Sequence, residues 1–576
     1  MSELRPDVVK ANSQQRKAAD PSATRLASAN AGSGKTRVLV SRVTRLLLEK
    51  MAPEKILCLT YTKAAASEMQ TRLFQTLGDW SVMDDDALSK VLAEMLGEAE
   101  TKNVKLRDAR ELFAKALETP EGLKVQTIHA FCDRVLGRFP LEAGILPGFE
   151  PMDDADIVEL RTEVQERIFK EAWDQPDSEI GKALSCLAAD RTNIGLLPIF
   201  RWMAGQAEAI ESWKTSGGVE RLTQIAGIDP SDTPLSIKEA FWRNSPIADI
   251  RAAAQSLLQS PNSNDCDKAK RVLNDLDGGD FSSAFDDYTS IFLTKKGEIK
   301  KTVITMKAPD LAQCFFGTTK TETTAEAYRV LEAYNKVKSA RCLEQSRAIY
   351  VIAQRFQKIY KDMKQARRWL DFNDLISHVR SLLTQTDVSE WVKYKLDGGI
   401  EHILVDEAQD TSPMQWDIID ALSESFGAQE VDKPKTFFAV GDEKQSIYSF
   451  QGARPEMFIT KTQQYVSEPD SAAIQMSMSF RSSPDVLRVV DAVFDDQRAR
   501  ERMFDSEKVP FAGDRVIHSA FRDDRGLVEL WPLAPPPEKP EEEMPWDTRP
   551  VDAPNKASSR EYLAASIAQT LSLIHI

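Results

Sequence analysis

Apolar residues along the chain gather in short runs that suit buried strands. Runs of this kind, bounded by polar and turn-forming residues, are typical of strands covered by helices on both faces of a parallel sheet. They occupy residues 25–28, 56–60, 125–128, 403–406 and 437–440. The pattern predicts an α/β fold whose strands come from two separate stretches of the chain.

Between these stretches the apolar spacing becomes helical. Ile157, Leu160, Val164 and Ile168 recur at intervals of three or four residues, and residues 349–363 repeat the same spacing. Such stripes predict amphipathic helices packed on a core. We therefore predict one α/β domain that is interrupted by a mainly helical insertion.

Composition is that of an ordinary globular protein. The 576 residues carry a net charge of −15 and include six cysteines without a Cys-x-x-Cys pair, which indicates scattered cytoplasmic thiols rather than a disulfide framework or a zinc site. No apolar run reaches the roughly 18 residues of a membrane span, and the N-terminus lacks the apolar centre of a signal peptide. We predict a cytoplasmic protein with no membrane partner. The acidic charge weighs against a nucleic-acid partner but does not describe a local groove.

A glycine-rich loop follows the first strand run. Residues 29–36 read Ala-Asn-Ala-Gly-Ser-Gly-Lys-Thr and lead into a helical pattern. Glycines let backbone N–H groups converge on phosphate oxygens, and the helix dipole adds to the attraction. Lys35 is predicted to reach the outer phosphates, and Thr36 to ligate Mg²⁺. The predicted nucleotide contacts in this loop are Ala29, Asn30, Ala31, Gly32, Ser33, Gly34, Lys35 and Thr36. Ala29 replaces the first glycine that is usual in such loops.

Two adjacent acids end another strand run. Residues 403–407 read Ile-Leu-Val-Asp-Glu, and an apolar strand that delivers carboxylates at its end can complete a Mg²⁺–phosphate site. We predict that Asp406 holds the metal and that Glu407 polarises the attacking water. Together with the loop, the pair indicates nucleoside triphosphate hydrolysis.

Six motifs in a familiar order make the chain resemble the superfamily 1 DNA helicases of the UvrD, Rep and RecB type. Gln15 resembles the adenine-reading glutamine of that family, and further matches lie at residues 60–69, 127–132, 441–453 and 479–482. The resemblance implies a P-loop motor domain with a RecA-like parallel sheet and the start of a second RecA-like domain. The implied boundaries are motor domain 1 at residues 1–150 and 346–470, the insertion at 151–345, and motor domain 2 at 471–576 with a loop rich in proline and glutamate at 535–550.

The family pattern also implies roles for single side chains. Gln445 resembles the γ-phosphate sensor, and Arg481 resembles the arginine finger that neutralises the transferred phosphoryl group. Phe480 would stack on adenine beside Gln15. The positions that match the single-stranded DNA path are Tyr61, Thr62, Lys63, His129, Tyr448 and Phe450. Stacking suits a motor that ignores base sequence, while core packing remains the alternative for each aromatic residue and for His129.

Departures from the solo helicases point to a subfamily. Gln451 and Ser479 stand where those proteins usually carry arginine and asparagine, and Glu443, Lys444 and residues 370–375 are similar to the AddA subunit of bacterial AddAB helicase–nucleases. This resemblance implies ATP-driven 3′→5′ translocation in double-strand break repair, with ATP and Mg²⁺ as cofactors. It also implies single-stranded and duplex DNA as partners, together with an AddB-like subunit in a heterodimer. A solo UvrD-like repair helicase is the alternative.

Some parts of the family pattern find no match in this sequence. Two later helicase motifs and the AddA nuclease domain are missing before Ile576. We therefore expect an N-terminal fragment that stops inside its second motor domain. A fragment that binds ATP and DNA without catalysis is a further alternative.

Lysines are concentrated at residues 295–307, inside the predicted insertion. We interpret this stretch as a solvated hairpin. Contact with the duplex ahead of the motor is the alternative interpretation.

Overall fold

The computed structural model describes the chain as two compact units. The first comprises residues 1–134 and 379–576, and the second comprises residues 135–378, which contain the whole predicted insertion. The described residues are 5–102, 104–119, 122–189, 193–278, 281–320, 323–384, 386–397, 399–424, 426, 435–449, 452–466, 472–499, 518–534 and 559–575. Phe450, Gln451 and the predicted loop at 535–550 lie outside these ranges.

Within the described ranges the elements are as follows. The strands are β1 (Arg25–Ala29), β2 (Ile56–Thr60), β3 (Lys124–Thr127), β4 (Glu150–Pro151), β5 (Trp369–Leu370), β6 (His402–Val405), β7 (Thr436–Gly441), β8 (Ala472–Met476), β9 (Met478–Ser479) and β10 (Ser519–Ala520). The helices of the first unit are α1 (Pro6–Ala18), α2 (Lys35–Leu48), α3 (Lys63–Val82), α4 (Asp85–Leu96), α5 (Glu98–Thr101), α6 (Leu106–Glu118) and α7 (Ile128–Arg138), which continues into the second unit. Those of the second unit are α8 (Asp154–Asp174), α9 (Glu179–Ala188), α10 (Asn193–Ala204), α11 (Ala207–Thr215), α12 (Gly218–Ala226), α13 (Pro234–Arg243), α14 (Ile247–Leu257), α15 (Ser263–Gly278), α16 (Phe281–Phe292), α17 (Asp310–Phe316) and α18 (Ala325–Arg367). The remaining helices are α19 (Phe372–Thr384), α20 (Thr386–Asp397), α21 (Pro413–Ser423), α22 (Pro455–Val466), α23 (Pro484–Phe494) and α24 (Ser559–His575). No helix in these ranges is both long and apolar enough to cross a bilayer.

A six-stranded parallel sheet forms the centre of the first unit. The order across the sheet is β3-β2-β6-β7-β1-β8, and every neighbouring pair runs parallel. All six strands therefore end at the same edge, where the residues that follow them can converge. The predicted α/β class is confirmed. β8 comes from residues that the sequence analysis assigned to a second motor domain, and it pairs with β1 in this sheet.

Burial explains why apolar runs form the central strands. Every residue of β2, β6 and β7 is buried, so neither face of these strands meets water and no polar alternation appears in the sequence. On one face, Phe438 and Leu404 share a core with residues of α2 and α3. On the other face, the Phe437 ring lies 6.4 Å from the Trp416 ring of α21.

A buried polar network ties α2 to the first residues of the central strands. The fully buried Arg42 guanidinium donates to the carbonyl oxygens of Asp20 and Ala23 at 2.5 and 2.8 Å and to Thr436 Oγ1 at 3.1 Å. His402 Nδ1 lies 2.8 Å from the same hydroxyl. Burial, reinforced by the positive charge of Arg42, lowers the pKa of His402 to about 4.

We predict that His402 makes the protein sensitive to acid. The unfolded chain takes up a proton at the ordinary histidine pKa of about 6.5, whereas the folded chain does so only near pH 4. Stability should therefore fall as the pH drops through this window, by about 3 kcal/mol at its lower end. Thermal unfolding between pH 7.5 and about 4.5 should show a shallower loss in His402→Asn.

The matched control for this prediction is Thr436→Val. It removes the hydroxyl that both side chains share but leaves the imidazole in place. This variant should be less stable at every pH and should keep the slope of the native chain. An unchanged slope in His402→Asn would contradict the assignment.

The second unit is built around the long helix α18. Its 43 residues contribute to two separate cores. Val330 near its start packs in a core with Phe285 of α16, whereas Ile352 and Phe356 pack in a core with Leu160 of α8. The stripe predicted at residues 349–363 is thus a packing surface. β4 and β5 form a short parallel pair in the same unit.

The lysine-rich stretch forms a hairpin turn in this unit. Leu293 and Ile299 pair in an antiparallel bridge, and Gly297 occupies the turn with φ +80°. Lys295 and Lys296 are exposed, whereas Lys300 Nζ donates to the Ser290 carbonyl oxygen at 2.6 Å. The hairpin geometry agrees with the interpretation from the sequence.

Candidate functional site

The glycine-rich loop lies between β1 and α2, as predicted. Gly32 and Gly34 have φ values of +74° and +90°, which residues with a side chain rarely adopt. The turn is held by a hydrogen bond from Ser33 N to the Asn30 carbonyl oxygen at 3.1 Å. Gly34 precedes α2, and no described side chain caps this helix. Its first N–H groups are therefore available to an anion.

A cleft of about 360 Å³ opens beside the loop. It collects most of the residues that were predicted to act on phosphate groups, although they are far apart in sequence. Its lining comprises Gly32, Gly34, Lys35, Thr36, Arg37, Ala65, Glu68, Arg72, Asp406, Glu407, Phe480 and Arg481. Asn30 and Ser33 are buried in the turn, Ala29 is buried in β1, and Ala31 is exposed.

Lys35 and Glu407 form an ion pair at this cleft. Glu407 has a φ of +49°, a strained value for a residue with a side chain that often marks functional sites. Asp406 beside it is buried, and its Oδ1 accepts from the Glu407 N–H at 3.0 Å. Burial, together with the negative charge of Glu407, raises the pKa of Asp406 to about 7. Hard oxygen ligands from Asp406 and Thr36 suit Mg²⁺.

A larger cavity of about 1010 Å³ adjoins the loop on the side of α1. Gln15 lines it and donates from Nε2 to the Ser33 carbonyl oxygen at 2.8 Å. Phe480 lines both cavities, and its N–H donates to the Gly32 carbonyl oxygen at 2.8 Å. Gln15 and Phe480, the two residues predicted to contact the base, thus flank the phosphate loop.

Sequence reasoning missed Arg37. Its side chain lines both cavities, where a planar guanidinium can stack on a base or contact a phosphate. The available signal was its position, because a residue directly after Lys35 and Thr36 lies in the first turn of α2.

Gln445 does not line the phosphate cleft, unlike the other predicted catalytic residues. It lies in a short 3₁₀ helix, Glu443–Gln445, and its Nε2 donates to Asp442 Oδ2 at 2.5 Å. Its predicted role as a γ-phosphate sensor stays a prediction.

Tyr61 and Tyr448 meet at the edge where the strands end. Tyr61 follows β2 and Tyr448 follows β7, and their ring centroids are 4.3 Å apart. Thr62 caps α3 by accepting from Ala65 N at 3.1 Å, and Lys63 begins that helix with an exposed side chain.

His129 is the second residue of α7, which follows β3. It is half-buried, and burial lowers its pKa. A neutral imidazole at this position is compatible with packing as well as with a polar contact. Phe450, the sixth position of the predicted DNA path, lies outside the described residues.

Comparison with known families defines the class of protein. A sequence model of the UvrD/REP helicase N-terminal domain matches residues 11–466. The match covers most of the chain, so the chain belongs to the UvrD/Rep helicase family. The predicted family assignment is confirmed, and the parallel sheet is the RecA-like domain of this family.

Particular relatives within this class are named as the AddA subunit of an ATP-dependent helicase/nuclease. The chain is 26% identical over 504 residues to that of Desulforamulus reducens, covering 81% of this chain and 37% of the relative. It is 26% identical over 515 residues to that of Lactobacillus gasseri, covering 81% and 38%. It is 28% identical over 513 residues to that of Levilactobacillus brevis, covering 83% and 37%. The chain thus spans less than two fifths of the length of these relatives.

Proposed function

We propose that this chain is the ATP-hydrolysing motor region of an AddA-like DNA helicase that acts in double-strand break repair. The convergence of Lys35, Thr36, Asp406, Glu407 and Arg481 on one cleft carries the proposal. Five residues from distant parts of the sequence supply a phosphate cradle, metal ligands, a base and a cation at the edge where strands of a parallel sheet end.

Each side chain has a distinct task in the proposed reaction. The loop N–H groups and Lys35 hold the outer phosphates, so Lys35 exchanges its Glu407 partner for phosphate oxygens. Thr36 and Asp406 would hold Mg²⁺, which when bound neutralises charge on the β- and γ-phosphates. Glu407, once released by Lys35, orients the attacking water and takes its proton. Arg481 stabilises the charge that develops on the γ-phosphoryl group.

The base end of the nucleotide has its own proposed contacts. Gln15 presents an amide that can read the adenine edge, and Phe480 presents a ring for stacking beside it. Arg37 lies between the two cavities and can cover the opposite face of the base.

The DNA path is proposed along the edge that carries the tyrosine pair. Tyr61 and Tyr448 offer aromatic faces to successive bases, and Lys63 offers a charge to a phosphate. Thr62 and His129 are the remaining proposed polar contacts. We propose 3′→5′ movement, an AddB-like partner and a cytoplasmic location by analogy with the AddA family, which the relatives' names favour over a solo helicase.

We predict that single-stranded DNA stimulates ATP hydrolysis by this chain and that Lys35→Ala lowers the stimulated rate at least about 100-fold. The measurement is steady-state phosphate release with and without oligo-dT. Lys55→Ala is a matched control because Lys55 also pairs with a glutamate, Glu401, but precedes β2 at the opposite edge of the sheet. It should leave the rate within about twofold of the native chain.

Two outcomes would contradict the proposed function. Hydrolysis that persists in Lys35→Ala would mean that another site turns over ATP. Nucleotide and DNA binding without any hydrolysis would favour the non-catalytic alternative.

A further inference from the structure

One buried amide joins the two acidic segments behind the phosphate cleft. Gln409 lies in a short 3₁₀ helix, Ala408–Asp410, just after β6, and only 1% of its surface is exposed. Its Nε2 donates to Glu407 Oε2 at 2.9 Å and to Asp410 Oδ2 at 3.2 Å. Its Oε1 accepts from the Asp442 N–H at 2.9 Å. Both donors and the acceptor of this amide are thus engaged.

The end of β7 is shaped to receive this side chain. A Cβ atom at Gly441 would lie 2.7 Å from Gln409 Oε1 and 3.1 Å from Gln409 N. Any side chain at position 441 would therefore displace the amide. The contact depends on a glycine that the backbone conformation of β7 does not itself require.

From Asp442 the connection continues to the predicted sensor residue. Asp442 is 2% exposed, and its carboxylate accepts from Gln445 Nε2 at 2.5 Å and from Lys444 Nζ at 2.9 Å. The chain after Gln445 leads to Tyr448 at the proposed DNA edge. Gln409 therefore links the carboxylate that faces the phosphate cleft to the segment that carries the DNA-side tyrosine.

A second arm runs through Asp410. Gln409 Nε2 contacts this carboxylate, and the negative charge of Asp410 adds to burial in raising the pKa of Tyr61 to about 12. Tyr61 is the partner of Tyr448 in the ring pair. Both arms thus end on the same two aromatic residues.

The chemistry of the amide makes this link responsive to the nucleotide. Nε2 donates to a carboxylate that is paired with Lys35 in the ligand-free protein. When phosphate groups take Lys35, the full charge of Glu407 falls on its remaining donor, and a hydrogen bond to an unpaired carboxylate is stronger. Because the amide is planar, a change at Nε2 also reorients Oε1 against Asp442.

We propose that Gln409 is a positioning residue that couples nucleotide binding at Glu407 to single-stranded DNA binding at the Tyr61–Tyr448 edge. The inference rests on the proposed function, since it presumes that both ligands bind where that proposal places them. Gln409 touches neither ligand and acts through Glu407 and Asp442.

The test measures coupling at equilibrium, without hydrolysis. The affinity for fluorescein-labelled oligo-dT is determined with and without a Mg²⁺-bound non-hydrolysable ATP analogue. The native chain should show a ratio of at least about fivefold between the two affinities. Gln409→Glu, which replaces the donor by a charge facing Glu407, should bring the ratio below about twofold while the affinity for each ligand alone changes less than about threefold.

Two further variants keep the test decisive. Gln409→Met retains the volume without the hydrogen bonds and should lose the coupling in the same way, which covers the case that Gln409→Glu does not fold. Gln415→Glu is the matched control, because Gln415 is a buried glutamine that caps α21 through Ser412. It should keep the coupling of the native chain, since a merely structural role changes stability rather than the ratio.

Each outcome decides the inference. Native coupling in a folded Gln409→Glu or Gln409→Met variant would overturn it, and so would a native chain whose two ligands bind independently. A native chain that shows coupling but hydrolyses no ATP would instead overturn the proposed catalytic function and leave the inference standing.

Discussion

Replacing Glu407 by glutamine is expected to slow ATP hydrolysis at least about 100-fold while tightening the binding of Mg²⁺–ATP several-fold. Hydrolysis slows because an amide cannot take a proton from the attacking water. Binding tightens because Lys35 is held by the Glu407 carboxylate in the ligand-free protein, so phosphate groups must compete with that carboxylate for the ammonium group. Glutamine also removes a negative charge from the wall that faces the γ-phosphate.

The two effects are measured separately. Hydrolysis is followed in single turnovers with the chain in excess over ATP, and affinity is measured with a fluorescent ATP at equilibrium. Glu68→Gln is the matched control, because Glu68 lines the same cleft but pairs with Arg72 at 2.6 Å on an exposed surface. Both quantities should stay within about twofold in that variant. Weaker binding in Glu407→Gln would show that the ion pair does not compete with the nucleotide.

Much of the fold could be predicted because its central strands are buried on both faces. All five predicted runs correspond to strands of the sheet, namely β1, β2, β3, β6 and β7. β8 escaped notice because it is an edge strand in which Ala473 and Gln475 are not buried, so its sequence carries little apolar signal. The strand order could not be read from local patterns, since β6 lies between β2 and β7 through pairings distant in sequence.

The candidate site divides in the same way. The loop and the acidic pair were predictable, because each is a local pattern whose chemistry follows from adjacent residues. The Lys35–Glu407 ion pair joins residues 372 positions apart, and the Gln409 bridge depends on the space above Gly441. Contacts of this kind arise only when the sheet brings strand ends together, so no local pattern announces them.

A methyl group at Gly32 is expected to weaken Mg²⁺–ATP binding at least about 100-fold, because it strains the loop and displaces a neighbouring segment as well. Gly32 has a φ of +74°, and a Cβ atom there would lie 2.7 Å from both Arg481 Cβ and Ser479 Oγ. The displaced segment includes Phe480, whose N–H donates to the Gly32 carbonyl oxygen at 2.8 Å. Gly32→Ala therefore disturbs the phosphate cradle, the stacking ring and the arginine together. Equilibrium titration with a fluorescent ATP checks the affinity, and thermal unfolding checks the fold.

Gly122→Ala separates backbone strain from steric displacement. Gly122 lies in the same unit with a φ of +63°, but no atom lies within 4 Å of a Cβ built there. This variant should lose about 1 kcal/mol of stability from the left-handed conformation alone and should bind the nucleotide as tightly as the native chain. If Gly32→Ala lowers the unfolding temperature no more than Gly122→Ala does and still binds Mg²⁺–ATP normally, the segment at residues 479–481 does not close against the loop in solution. A loss of affinity in Gly32→Ala alone would instead mean that the arginine and the phosphate loop must keep their close approach for the nucleotide to bind.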